Sequence, residues 1–232
     1  MGSKNRIANE ILPIILKDRQ PGQFYVEPFC GGLGTIDKVN GNRIAADNNF
    51  YLIEMWRGLQ KNTPRPYDIS KEMYDNARQD FRYKTNLHYS NFLIGWIGWM
   101  ASFNGRFFDG GYSGATKTRN YVDEQIRNTE KQINLIKDIE FVHSDYDKLI
   151  IPPKSLIYCD IPYKGTKQYT TSKNFDYNKF FNWCGQMSLD GHTVFLSEYT
   201  APFYFNLVWE KQITNAMHTT KTTKPIEKLF RL

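Results

Sequence analysis

The stretch YCDIPYKGTKQYT, Tyr158 to Thr170, puts an acid, a stiffened turn and an aromatic ring at the exit of an apolar run, SLIYC. That combination suits a planar amine on a nucleic-acid base. Such an amine is a poor nucleophile, because its lone pair is delocalised into the ring. A carboxylate accepting one N–H and a backbone carbonyl accepting the other pull the nitrogen toward tetrahedral geometry. The lone pair is then free for in-line attack. Asp160 can supply the carboxylate and Ile161 the carbonyl. Pro162 fixes its φ at about −65° and helps hold the carbonyl inward. Tyr163 offers a face on which a base can stack, worth about 1–3 kcal/mol. The scheme needs no covalent intermediate and no metal ion, and positioning of two bound substrates supplies much of the rate.

A base inside a duplex must be extruded to reach such a pocket, at a cost of roughly a few kcal/mol. Lys164, Lys167, Lys173 and Tyr169 follow directly, a set suited to backbone phosphates and stacking. Taken singly, each lysine reads as part of a solvated loop.

A second constellation lies upstream. Gly31, Gly32 and Gly34 follow the strand-like QFYVEPF, without a full phosphate-binding fingerprint and without the Lys-Ser/Thr pair of a P-loop. Glycines alone would also fit a plain tight turn. Glu27 and Pro28, however, stand at the carboxyl end of that strand, where an acid repels phosphate. Asp47 follows 20 residues after Glu27, the spacing at which a carboxylate accepts ribose hydroxyls. An acid-rich pocket with close backbone approach suits a cationic nucleoside lacking phosphates. S-adenosylmethionine is such a ligand.

The elements that would position these groups alternate. Residues 4–16 read as a helix with Ser3 as N-cap and Pro13 as a kink or early stop. A strand over 23–29 leads through CGGLGTIDKV into a helix, then a strand over 42–47 and a helix through NFYLIEMWRGL. Residues 60–120 differ: aromatics, Asn, Arg and Gly are frequent, with helical periodicity around 70–100 and a loop, FNGRFFDGGYSG. YVDEQIRNTEKQINLIKDI follows as one amphipathic helix with Val122, Ile126, Ile133 and Ile136 on a face. Strands IEFVH and SLIYC, a helix near 176–187, strand HTVFLS from His192 and a strand-like NLVWEK complete the chain. The pattern predicts one α/β sheet, residues 1–58 and 121–232, interrupted by a helical segment at 59–120. Trp96 and Trp99 read as core of that segment.

The motifs taken together resemble the Dam-like, D12 class of DNA adenine methyltransferases, especially small phage-type members, over most of the chain. GSKNR is similar to the family's methionine-binding start, YVEPFCGG to its glycine motif and AADNN to its ribose-binding acid. FNGRF is similar to its FNG segment, HSDYD to its adenine-contacting acid and DIPY to its catalytic DPPY, in the family's order. The resemblance implies a Rossmann-like S-adenosylmethionine-dependent methyltransferase sheet with an inserted target-recognition segment. It implies cofactor contacts from Lys4, Glu27, Pro28, Phe29, Gly31, Gly32, Asp47, Asn48, Asp145 and Asp160. It implies DNA contacts from Asn104, Arg106, Lys164, Lys167 and Tyr169, and catalysis by Asp160, Ile161, Pro162 and Tyr163. Ile161 departs from the family's proline, which keeps the carbonyl but loses rigidity. The C-terminal TTKPIEKLFRL receives no site.

Composition is compatible with this reading. The 232 residues, 41% hydrophobic, suffice for one large core, and the net charge of +6 favours an acidic partner such as DNA. Cys30, Cys159 and Cys184 show no metal-ligand spacing and suit a reducing cytosol. No export signal and no membrane span are legible. Cytosine, RNA or another planar nitrogen acceptor remains open as target on the residues alone, as does a DNA-binding homologue whose chemistry has lapsed.

Overall fold

A computed structural model of the chain describes residues 4–164, 174–212 and 226–232. Ser3, Lys167, Tyr169 and Lys173 lie outside the described residues.

Near-continuous apolar runs mark strands covered on both faces, and the central strands are of this kind. β1 (Tyr25–Glu27), β2 (Arg43–Asp47), β3 (Ile139–His143), β4 (Leu156–Asp160) and β5 (Thr193–Ser197) are parallel. β6 (Asn206–Gln212) and β7 (Ile226–Arg231) complete one sheet in the order β3–β2–β1–β4–β5–β7–β6, with β7 antiparallel to both neighbours. Side chains alternate between two cores. Tyr25, Ala45, Tyr158 and Phe195 enter one, while Val26, Ile157, Cys159 and Val194 enter the other.

Among the described residues, six α-helices cover the faces: α1 (Ala8–Ile15), α2 (Phe50–Gln60), α3 (Lys71–Tyr83), α4 (Asn91–Ala101), α5 (Tyr121–Glu130) and α6 (Tyr177–Leu189). Asn49, Ser70, Ser90, Asn120 and Asp176 cap five of them through side-chain oxygens. α6 lies on one face, with Phe180 and Cys184 buried against the sheet. The opposite core joins α1, α2, α4 and α5, so the helices of 59–120 share it rather than forming one of their own. Trp96 is fully buried there and donates Nε1–H to the Pro66 carbonyl at 2.8 Å. This is a Rossmann-like α/β sheet, as the alternation predicts. No helix among the described residues is long and apolar enough to cross a membrane.

Four local expectations need correction. The helix expected over 4–16 is a 3-10 turn at Lys4–Arg6 followed by α1 from Ala8, with Ile7 at the N-cap. β1 is shorter than 23–29, since Pro28 has no N–H to continue a ladder. CGGLGTIDKV is not an α-helix but a run of turns ending in one 3-10 turn, Ile36–Lys38. Gly31 and Leu33 have φ of +45° and +55°, which breaks a right-handed helix. The expected single helix over 121–139 ends at Glu130, and a 3-10 turn covers Ile133–Leu135. There Gln132 leaves helical register and donates to Asp37 Oδ2 at 2.9 Å, behind the glycine turn. Pro13 lies inside α1, which stops two residues later.

The α3–α4 connection is tied to one buried acid. Asp80 accepts from the Thr85 hydroxyl and from the backbone N–H groups of Leu87, His88 and Tyr89. Burial alone would raise its carboxyl, but these donors prevail and hold it at about 2. Asp80→Asn is expected to lower stability by about 1–3 kcal/mol, read as a shift of the urea midpoint at constant slope. The ordinary aspartate value is about 3.9, so Asp80's stabilisation is complete above roughly pH 4 and is lost as pH falls toward 2.

Candidate active site

In an open parallel sheet, ligands bind beyond the carboxyl ends of the strands, where strand order reverses. Here the reversal falls between β1 and β4. Glu27 ends β1 and Asp160 ends β4, so both acids stand at that crevice. Asp47 ends β2 beside them. A cleft of about 1800 Å³ opens over this edge. Its walls include Lys4, Glu27, Pro28, Phe29, Gly31, Gly32, Asp47, Asn48, Asn104, Asp145 and the run Asp160, Ile161, Pro162, Tyr163. The sheet edge thus gathers residues spread over 160 positions of sequence. Arg106 and Lys164 adjoin wall residues but are not themselves on the wall. Lys167 and Tyr169 lie outside the described residues.

The glycine turn is fixed from both sides. Gly31 N–H donates to Asp47 Oδ2 at 3.0 Å, and its carbonyl accepts from Trp56 Nε1 at 3.0 Å. Asn49 N–H donates to Asp47 Oδ1 at 2.9 Å, so both carboxylate oxygens are aimed by backbone. Burial raises the Asp47 carboxyl, and these backbone donors work against the rise. Gly32 must be glycine for a packing reason. A Cβ there would lie 2.6 Å from Trp99 Cζ2, so the α4 indole closes directly onto the turn. Trp99, read from sequence as core, also lines the cleft. Phe29 meets Tyr146, Phe175 and Phe180 with centroids 5.3, 5.8 and 5.8 Å away, an aromatic wall opposite the acids. Asp145 is half exposed, 3.2 Å from Lys148 Nζ.

Glu27 is buried and accepts from the hydroxyls of Thr35 and, at 2.9 Å, Tyr25, both on Oε1. Its Oε2 takes no hydrogen bond from the described residues. Burial pushes its carboxyl up to about 8, against those two donors.

Asp160 Oδ1 lies 3.0 Å from Lys4 Nζ. Lys4 also donates to Tyr163 Oη at 2.6 Å and to Glu227 Oε2 at 3.3 Å. Tyr163 Oη in turn donates to Glu227 Oε2 at 2.6 Å. Burial raises the Asp160 carboxyl, and Lys4 opposes that rise. Burial would lower the Lys4 ammonium, but Asp160 and Glu227 outweigh it and hold it above its ordinary value. Asp160 therefore faces a buried, charged lysine, yet its side chain is 31% exposed to the cleft.

The turn after Asp160 is held by two residues that the sequence reading missed. Tyr177 Oη, at the start of α6, donates to the Pro162 carbonyl at 2.8 Å. Lys164 N–H donates to the carboxylate of Glu198, which follows β5. Ile161 sends its side chain into the α6-side core, where it is 3% exposed. The rigidity lost with a proline is thus replaced by burial and by these two bonds. Glu198 had a legible signal, an acid directly after a parallel strand, like Glu27. Glu227 had none, because nothing local reveals that β7 runs antiparallel and brings its first turns to this edge.

The family model of the D12 class N6 adenine-specific DNA methyltransferases matches residues 1–224. The chain belongs to that family. Among solved structures, it is similar to SMU.472, a protein assigned as a methyltransferase and crystallised with SAH, at 9% identity and a TM-score of 0.37. The alignment covers 100% of this chain and 53% of that one, so the chain spans about half its length. No curated protein matches the sequence. The match to the D12 class reaches from Lys4 through β6, and so takes in every wall residue named above except Glu227.

The Glu27 carboxyl carries a pH signature. The folded D12 chain keeps a proton that the unfolded chain releases between roughly pH 4.3 and 8, so stability falls as pH rises through that window. Glu27→Gln, which cannot ionise, is expected to flatten the fall. It should exceed the parent by about 1–3 kcal/mol near pH 8.5 while differing little near pH 5. Urea titrations at the two pH values make the comparison.

Proposed function

We propose that the protein transfers a methyl group from S-adenosylmethionine to the exocyclic amino group of an adenine extruded from duplex DNA. The observation that carries this reading is the meeting of Asp160, at the carboxyl end of β4, with the glycine turn and Asp47 in one cleft. The cleft volume exceeds the roughly 300–1,000 Å³ of a small-molecule pocket, which leaves room for a nucleoside cofactor and a base together.

The donor set fits the cofactor. Asp47, aimed by Gly31 and Asn49, suits ribose hydroxyls. Gly31 and Gly32 let the backbone approach, and the Phe29 wall suits an adenine face. A cationic group at Glu27 Oε2 would displace the proton that burial keeps on this carboxyl. When bound, the cofactor supplies an electrophilic methyl on a sulfonium. Asp160 would then accept a hydrogen bond from the target amine and the Ile161 carbonyl a second, with Tyr163 beside the ring. As the N–C bond forms and the S–C bond breaks, the cofactor would leave as the neutral thioether and the surplus amine proton would pass to Asp160 or to water. Lys4 favours the anionic form of the acid against the effect of burial, and Tyr177 and Glu198 keep the turn from relaxing. Fixed acceptors at a desolvated site need no reorganisation as charge develops.

Asn104 reaches the same cleft from the 59–120 segment, with φ of +55°. Together with Arg106, Lys164, Lys167 and Tyr169, it is read as contacting DNA, with the 59–120 segment as the recognition element. An intracellular, reducing setting fits three buried cysteines that form no disulfide.

Incubating the protein with methyl-labelled S-adenosylmethionine and mixed-sequence duplex DNA, then digesting to nucleosides, tests the reading. Label on the adenine amine is expected. Label on cytosine, on RNA alone or nowhere refutes it. Asp160→Ala should lower kcat by at least about 1,000-fold with cofactor affinity held within about tenfold, because the loss belongs to the transition state. Full turnover by that variant would name the wrong acid. Asp47→Ala should instead raise KM for the cofactor by about tenfold or more, the scale of a lost charged hydrogen bond. Unchanged cofactor binding would remove Asp47 from the ribose.

A further inference from the structure

Glu227 is the one acid at the cleft contributed by the antiparallel strand. β7 enters the sheet against the direction of β4 and β5, so its second residue stands over their carboxyl ends. There the carboxylate is 5% exposed, and its Oε2 accepts from both Tyr163 Oη and Lys4 Nζ. Lys4 is 6% exposed and lies between this acid and Asp160. Two acids therefore share a single desolvated cation.

We infer that Glu227 is a positioning residue for methyl transfer, holding the Lys4 ammonium and the Tyr163 phenol in place while a base occupies Asp160. The inference rests on the reaction proposed above. A substrate amine that donates to Asp160 competes with Lys4 for the same carboxylate. With Asp160 as its only counter-ion, the lysine would either block the acid or lose its proton in a buried site. A second carboxylate resolves that conflict, because Lys4 keeps a partner when Asp160 turns to the base. The bond from Tyr163 to the same oxygen fixes the ring of the catalytic turn, and the ring stands edge-on to Tyr199 at 4.7 Å.

The charges around the pair predict the sign of a pH effect. Asp160 and Lys4 face Glu27 from β1, Tyr158 from β4, Tyr163 from the turn, Tyr199 after β5 and Glu227 from β7. Glu227 raises both the Asp160 carboxyl and the Lys4 ammonium. Removing its charge while leaving the others in place lowers both.

The test is kcat against pH for the full-length protein and for Glu227→Gln, with saturating S-adenosylmethionine and duplex DNA. Glutamine keeps an acceptor oxygen and removes the charge. A fall in kcat of roughly tenfold to hundredfold is expected, with KM for the cofactor within about threefold. Both limbs of the profile should move toward acid by about half to one unit. A residue that only supports the fold would lower the active fraction and leave both limbs in place. Glu227→Asp, which keeps the charge and shortens the reach, gives the second measurement. It should lower kcat without moving the limbs. If the glutamine profile superimposes on the parent after scaling, or if the aspartate variant turns over at the parent rate, the inference is overturned while the proposed reaction stands. A parent protein that methylates no DNA overturns both.

Discussion

One ammonium group, buried among carboxylates, organises the active edge of this protein. Parallel strands end in acids at β1, β2, β4 and just after β5, and β7 adds a fifth. So many like charges in a low-dielectric cleft repel one another and resist ionisation. Lys4 offsets part of this between Asp160 and Glu227. Elsewhere the offset takes other forms. Asp47 is satisfied by two backbone N–H groups, whereas Glu27 has only hydroxyl donors and is pushed up to about 8 by burial. Burial thus raises the carboxyls of Glu27, Asp47 and Asp160 alike, and different donors oppose the rise at each.

The geometry of the turn after Asp160 depends on distant elements in a similar way. Asp160 leaves a fully buried strand, and the next residue inserts its side chain into the core on the α6 side. The chain is then pinned at the Pro162 carbonyl by α6 and at the Lys164 amide by Glu198. A second proline would restrict the backbone from within. Here the neighbours restrict it from without, which leaves Ile161 free to contribute apolar burial. The glycine turn shows the converse. Its freedom is used up by close approach, to Asp47 on one side and to the Trp99 indole on the other. Trp99 belongs to the 59–120 segment, so that segment closes on the glycine-turn side of the cleft as well as carrying Asn104 to it.

The legible part of this architecture was periodic or chemical. Strand β4 with Asp160, strand β2 with Asp47 and helix α2 announce themselves through apolar runs and an acid at the exit. The misread parts turned on backbone conformation. The 31–39 turn carries helix-compatible residues, yet two positive φ angles and a bond to Asp47 hold it out of a helix. The 121–139 stretch keeps its apolar face, with Val122, Ile126 and Ile136 buried, but its α-helix ends at Glu130, and Gln132 just beyond bonds to Asp37. Local propensity cannot register either effect, since both partners lie far away in sequence.

The sequence by itself determined the alternating sheet, the acids at the strand exits and the motif order that resembles the D12 class. All of these are encoded in short windows, where apolar period and turn chemistry act. Only the tertiary structure decided which acid Lys4 neutralises, what stiffens the turn around Ile161, and that Glu227 belongs to the site. These depend on strand order and on the reversed direction of β7, and they join residues 15 to 223 positions apart. Electrostatic partnership in a buried cleft is fixed by distance in space, for which spacing along the chain is no guide.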